Sequence, residues 1–148
     1  MTVSDELKLY AMDAEDISIL SAALEGAITS PGEMSFSSKQ RQFTLTASRL
    51  RWEDRSRSEQ KASRVRCGIL FTDVMKIRAK NIPQTDRTMV MELLSIETSE
   101  EADETVLIRL NFADERTLEM QVECIHAALT DVGEAWNTDK IPSHPLED

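Results

Sequence analysis

The chain is 148 residues long, 41% hydrophobic and 30% charged, with a net charge of −10. That length suits one domain able to bury roughly 70% of its unfolded surface, and the balance is that of an ordinary globular protein, neither disordered nor membranous. The acidic total argues against a protein that coats nucleic acid or anionic membrane, and no apolar run approaches the roughly 18 residues of a membrane span.

In chain order, residues 1–10 (MTVSDELKLY) carry no basic region ahead of an apolar stretch, which points away from a secretory signal. Leu7 and Leu9 alternate with Lys8 and Tyr10, as in a short strand. Asp13 reads as a helix N-cap, with Glu15 and Asp16 in the first turn, where the helix dipole favours acids. Ile17, Leu20, Leu24, Ala27 and Ile28 follow at three- and four-residue steps, so a helix is expected to about Thr29, stopped by Ser30-Pro31-Gly32.

From Met34 the apolar period becomes two. Met34 and Phe36 form one short strand. Phe43, Leu45 and Ala47 lie on one face of the next, while Leu50 and Trp52 fall out of phase and predict a bulge near 47–49. Residues 53–63 (EDRSRSEQKAS) have no apolar anchor and read as a mobile loop. Val65, Cys67, Ile69 and Phe71 then share a face opposite Arg64, Arg66 and Gly68, and Met75, Ile77 and Ala79 one opposite Lys76, Arg78 and Lys80. Met89, Met91 and Leu93 alternate with a slip to Leu94 and Ile96. After an acidic turn at 97–104, Val106, Ile108, Leu110 and Phe112 form a strand that pairs as a hairpin with Leu118, Met120 and Val122. Ile125, Ala128, Leu129, Val132 and Trp136 return to helical spacing, predicting a closing helix over 124–136. Two prolines and few apolar residues make 138–148 a flexible tail, which leaves 1–137 as a single domain.

The expected class is α+β, mainly β: a bent antiparallel sheet of about seven strands. With one apolar face it must fold over into a sandwich or partly open barrel, capped by the C-terminal helix and carrying an extra N-terminal one. That element order resembles the pleckstrin-homology barrel over roughly 33–137, a likeness of fold that licenses no function. A sequence-level resemblance is carried by LKLYAMDAEDISILSAALEGAI at 7–28, RLRWE at 49–53 and LEMQVECIHAALTDVGEAW at 118–136. These stretches are similar to an uncharacterised, mainly alphaproteobacterial family, domain of unknown function 2948. The resemblance implies a small bacterial cytoplasmic protein and brings no activity or site residues.

Signs of catalysis are sparse. His144 lies in the tail. Cys124 and His126 offer a Cys/His pair, but residues two apart at a strand-to-helix junction would face different ways, and no orienting third group is evident. Neither cysteines and histidines nor the acidic turn match a zinc or calcium pattern, and the four scattered glycines build no phosphate cradle. No cofactor and no metal are therefore expected, and Cys67 and Cys124 read as buried free thiols of a reducing cytoplasm, with one disulfide geometrically possible but not needed at this size. Charge is the remaining signal: residues 39–80 hold twelve basic and four acidic side chains, leaving the rest strongly acidic. Lys39, Arg49, Arg51, Arg64, Arg66, Lys76, Arg78 and Lys80 are the candidate anion- or partner-binding residues. The reading that follows is a non-enzymatic interaction module, using this basic face or the groove beside the closing helix, with a protein partner or a second copy. Nucleic acid would want interleaved aromatics, and Trp52, the one candidate in the basic stretch, reads as core. The alternative is a small enzyme that clamps an acidic or phosphorylated small molecule with arginines.

Overall fold

The computed structural model describes residues 7–51, 63–132 and the backbone of 136–137. The polar loop over 53–63 (Ser63 excepted), the tail over 138–148 and the side chain of Trp136 lie outside them.

The described residues form eleven strands and one α-helix. β1 (Lys8–Ala11) leads into α1 (Ala14–Leu24), followed by β2 (Ile28–Thr29), a 3-10 turn (Pro31–Glu33), β3 (Met34–Ser37) and β4 (Gln42–Leu50). β5 (Ser63–Phe71), β6 (Val74–Lys80), β7 (Met91–Glu100), β8 (Val106–Phe112) and β9 (Arg116–Val122) come next. β10 (Ala127–Asp131) and β11 (Trp136–Asn137) close the series. The strands form one open antiparallel sheet in the order β1-β10-β5-β4-β2-β7-β8-β9-β6, with β3 on β4 and β11 on β5. The two-residue β2 joins the halves, with Ile28 opposite Ser48 of β4 and Glu92 of β7.

Each half buries its alternate residues in a shared core. Phe43, Leu45 and Ala47 of β4, Cys67, Ile69 and Phe71 of β5, Ile108, Leu110 and Phe112 of β8, and Leu118, Met120 and Val122 of β9 all belong to it. The helix covers β7: Ile17, Leu20 and Leu24 are each 1% exposed, and the Ser21 hydroxyl accepts from the Ile96 N–H at 2.9 Å. Asp13 caps the helix, its Oδ1 accepting from the Asp16 N–H at 2.8 Å. The helix ends at Leu24, earlier than the expected Thr29, because Gly26 turns the chain at φ 84°. Ala27 and Ile28, which had extended the helical stripe, instead lead into β2 between the two halves of the sheet, where the Leu93 N–H bonds the Ala27 carbonyl at 2.8 Å. The slip at Leu94 is a register shift in β7, between Leu93 and Ser95. The β8–β9 hairpin turns through Asp114 and Glu115, both at positive φ, as a tight turn requires.

Eleven strands replace the seven or so expected, since β2 and β10 form where helix was read, and two further expectations are corrected. The bulge near 47–49 is absent: β4 pairs with β5 without a break from Phe43 opposite Phe71 to Leu50 opposite Arg64. Arg49 continues the inward series of Phe43, Leu45 and Ala47 and is 0% exposed. The capping helix expected over 124–136 is not formed by the described residues 124–132 either, and the pleckstrin-homology likeness loses the element it rested on. Residues 127–131 are a strand paired on both sides, with Leu129 between Leu9 of β1 and Ile69 of β5. Both departures have one cause. Asp131 points inward from β10 to meet Arg49, Oδ1 to Nε at 2.9 Å and Oδ2 to Nη2 at 2.8 Å. A charge at an inward position breaks the apolar alternation, so each strand, read alone, loses its period.

Candidate functional site

The eight basic candidates do not share one face. Lys39 is exposed in the β3–β4 turn, and Arg51 follows the end of β4. Arg49 lies in the core, held by Asp131 and donating from Nη1 to its neighbour's carbonyl, that of Leu50, at 3.0 Å. Arg64 and Arg66 stand on the outward face of β5, half-buried. Arg64 donates to the Ser48 carbonyl at 2.7 Å, its hydroxyl at 3.1 Å and the Gly26 carbonyl at 3.3 Å. Arg66 meets Glu33 at 2.8 Å, and the same carboxylate accepts from the Thr46 hydroxyl. Burial pushes the Glu33 carboxyl up, yet the bonds from Arg66 and Thr46 and the charge of Arg66 outweigh it, leaving it below its ordinary value.

Lys76, Arg78 and Lys80 stand together on β6, at the end of the sheet. Across its outer face runs a row of alternating charge: Arg78 opposes Glu119, which opposes Arg109, which opposes Glu97. Glu119 accepts from Arg78 at 2.9 Å and from Arg109 at 2.9 Å, and Arg109 reaches Glu97 at 3.6 Å. Bonds from Arg78 and Arg109 hold the Glu119 carboxyl below its ordinary range. Lys76 and Lys80 carry no ion pair among the described residues. A shallow cleft of about 400 Å³ lies beside them, lined by Lys76, Arg78, Leu107 and Gln121, among others. β6 has no neighbour beyond it among the described strands, and Met75, Ala79 and all three basic residues are exposed.

The second constellation is at a corner of the sheet. β5 passes into β6 through Thr72 and Asp73, and β9 into β10 through residues 123–126. The two crossings run side by side: the Thr72 N–H bonds the His126 carbonyl and the Glu123 N–H bonds the Asp73 carbonyl, each at 3.0 Å. Two residues on one side against four on the other force the bend, and Asp73 takes it up at φ 60°. Ile125 is buried, so Cys124 and His126, one on either side of it, emerge together on the outside. Asp73 Oδ2 accepts from both, at 3.3 Å from Cys124 Sγ and 3.0 Å from His126 Nδ1. Arg41 and Glu123 flank them as an exposed pair at 2.8 Å. His126 also borders an apolar cleft of about 210 Å³, with Tyr10, Met12, Leu70 and Ala128.

Residues 7–144 match the family described as protein of unknown function DUF2948. The chain belongs to this family. No curated protein and no solved structure gives a match.

The corner corrects two sequence-based expectations. Cys124 is exposed, not buried, and it faces the same way as His126, with Asp73 as the orienting group. Asp73 lies 53 residues from His126, so only the pairing of the two crossings could reveal the trio. The bond to Asp73 pushes the Cys124 thiol up, and the bonds from Cys124 and His126 hold Asp73 down. A reactive cysteine needs the opposite shift. Cys67, sealed in the core, is pushed up to about 12 by burial and is inert.

Proposed function

We propose that this protein is an interaction module that accepts an acidic, extended segment of a protein partner on the open edge of β6. The observation that carries the reading is a seven-residue edge strand on which Lys76 and Lys80 are exposed and have no ion pair among the described residues, with Met75 and Ala79 also exposed beside them. An added strand would gain main-chain hydrogen bonds, and alternate side chains would set specificity. The charge pattern selects the sign of the partner. Antiparallel pairing of β6 with a second copy of itself would oppose basic residues on the same face, which is destabilising, whereas acids at alternate positions would meet Lys76, Arg78 and Lys80. A lysine-bearing edge also discourages indiscriminate pairing, so an acidic partner is favoured over an apolar one.

The spread of guanidinium groups weighs against the alternative of an enzyme with arginine clamps. Arg49 is engaged in the core, Arg64 on carbonyls, Arg66 on Glu33 and Arg78 on Glu119. Both cysteines are free, which supports a reducing, cytoplasmic setting. No described helix is long and apolar enough to cross a membrane.

The test is fluorescence anisotropy with a labelled peptide alternating valine or threonine with glutamate, beside a lysine counterpart. The acidic peptide is expected to bind, weakening as salt rises, and to slow hydrogen exchange in β6. Lys76→Glu with Lys80→Glu should abolish it. Equal binding of both peptides, or binding unmoved by the double substitution, would refute the proposal.

A further inference from the structure

The geometry points to a transition-metal site at the sheet corner, where Asp73 Oδ2, Cys124 Sγ and His126 Nδ1 would hold a zinc-class divalent cation. The three atoms lie within 4.8 Å of one another. They are one oxygen, one sulfur and one nitrogen, the donor set that zinc takes, and three protein ligands leave a fourth, open position in a tetrahedral site. With zinc-to-ligand lengths of about 2.0–2.3 Å, tetrahedral ligands stand roughly 3.2–3.6 Å apart. The observed 3.3 Å from Cys124 to Asp73 and 3.0 Å from His126 to Asp73 need only a few tenths of an ångström of expansion.

The arrangement is built rather than incidental to a mobile surface. The ligands come from two crossings locked by backbone bonds, and burial of Ile125 fixes the side on which Cys124 and His126 emerge. Asp73 Oδ2 is already the point on which two donors converge. A cation placed between the three groups replaces those hydrogen bonds: the thiol gives its proton to solvent and binds as thiolate, and the imidazole binds through Nδ1 with its proton on Nε2. Arg41, whose charge acts on Asp73 and Cys124, is tied to Glu123, which tempers its repulsion of a metal. His126 also borders the apolar cleft with Tyr10 and Met12, so the site adjoins an exposed apolar surface.

Cobalt(II) is the probe. Added to the metal-free full chain at neutral pH, it should give a thiolate-to-cobalt band in the near ultraviolet and visible bands of tetrahedral intensity, both removed by equimolar zinc. Cys124→Ser should abolish the ultraviolet band. His126→Ala and Asp73→Asn should weaken binding by more than about tenfold, whereas Cys67→Ala, which removes the buried thiol, should leave the spectrum unchanged. Far-ultraviolet circular dichroism verifies that each variant is folded. As a second readout, zinc should protect Cys124 from alkylation in the wild-type chain. Absence of the cobalt bands in the wild type, or an ultraviolet band that survives Cys124→Ser, would overturn the assignment, as would zinc that leaves alkylation unaltered.

Discussion

Replace Asp131 with Asn, and the Arg49 guanidinium stays buried but loses the anion that compensates its desolvation. Arg49 is 0% exposed and Asp131 3%, and two hydrogen bonds of 2.9 and 2.8 Å join them. Asp131 has a further duty: its Oδ2 accepts from the Leu7 N–H at 2.9 Å while its own N–H bonds the Leu7 carbonyl at 3.1 Å, which ties the start of β1 to β10. Removing one member of a buried pair costs about 3–5 kcal/mol, since the other is left charged in the interior. Asp131→Asn keeps one acceptor and belongs at the lower end; Arg49→Met, which strands the carboxylate, belongs at the upper end. Replacing both with apolar residues of similar size removes both desolvation costs, and such exchanges are often neutral or better. Arg49→Met with Asp131→Leu should therefore lie within about 2 kcal/mol of the wild type, despite some fraying of β1. Urea unfolding followed by circular dichroism gives the stabilities of the wild type, of Arg49→Met and Asp131→Leu alone, and of the double variant, provided the denaturant slope is unchanged. Two outcomes refute the reasoning: single substitutions costing under about 1 kcal/mol, or a double variant whose loss equals the sum of the singles.

Further predictions follow from local geometry. Asp13→Ala removes the acceptor for the Asp16 N–H and should cost about 1 kcal/mol in urea midpoint analysis, more than Asp13→Ser. A methyl group at Gly68 would meet nothing within 4 Å, so Gly68→Ala should stabilise by about 0.4–1 kcal/mol. At Gly32 the same methyl would lie 2.8 Å from the Arg87 carbonyl oxygen, so Gly32→Ala should lower the melting temperature; the opposite ranking would contradict the backbone described. Glu33 and Glu119 are both held below their ordinary value of 4.5, so they bind fewer protons folded than unfolded. Their stabilisation is complete above the ordinary carboxylate range and is lost as pH falls through their lowered values. Glu119→Gln should flatten the acid limb of a stability–pH curve, and an unaltered limb would remove Glu119 from that account. A thiol reagent should modify Cys124 alone in the metal-free native chain, with Cys67 reacting only on unfolding.

Legibility in the sequence tracked how local the information was. The faces of β5, the β8–β9 hairpin, the helix start at Asp13 and the slip at Leu94 could be read directly, because each depends on neighbours within a few residues. The candidate β6 edge was legible as an alternation of Met75, Ile77 and Ala79 with Lys76, Arg78 and Lys80. That the strand lies at the end of the sheet was not, since topology assigns edges.

By itself, then, the sequence determined a mainly antiparallel β protein with one N-terminal helix and a basic strand at 74–80, through apolar periodicity and one capping residue. The tertiary structure decided that 127–131 is a strand paired on both sides rather than a helix, that Arg49 faces the core, and that Asp73 meets Cys124 and His126. Each of these depends on groups more than fifty residues apart. A buried charge is tolerable only opposite its partner, and a lone strand gives no sign of what will stand opposite it.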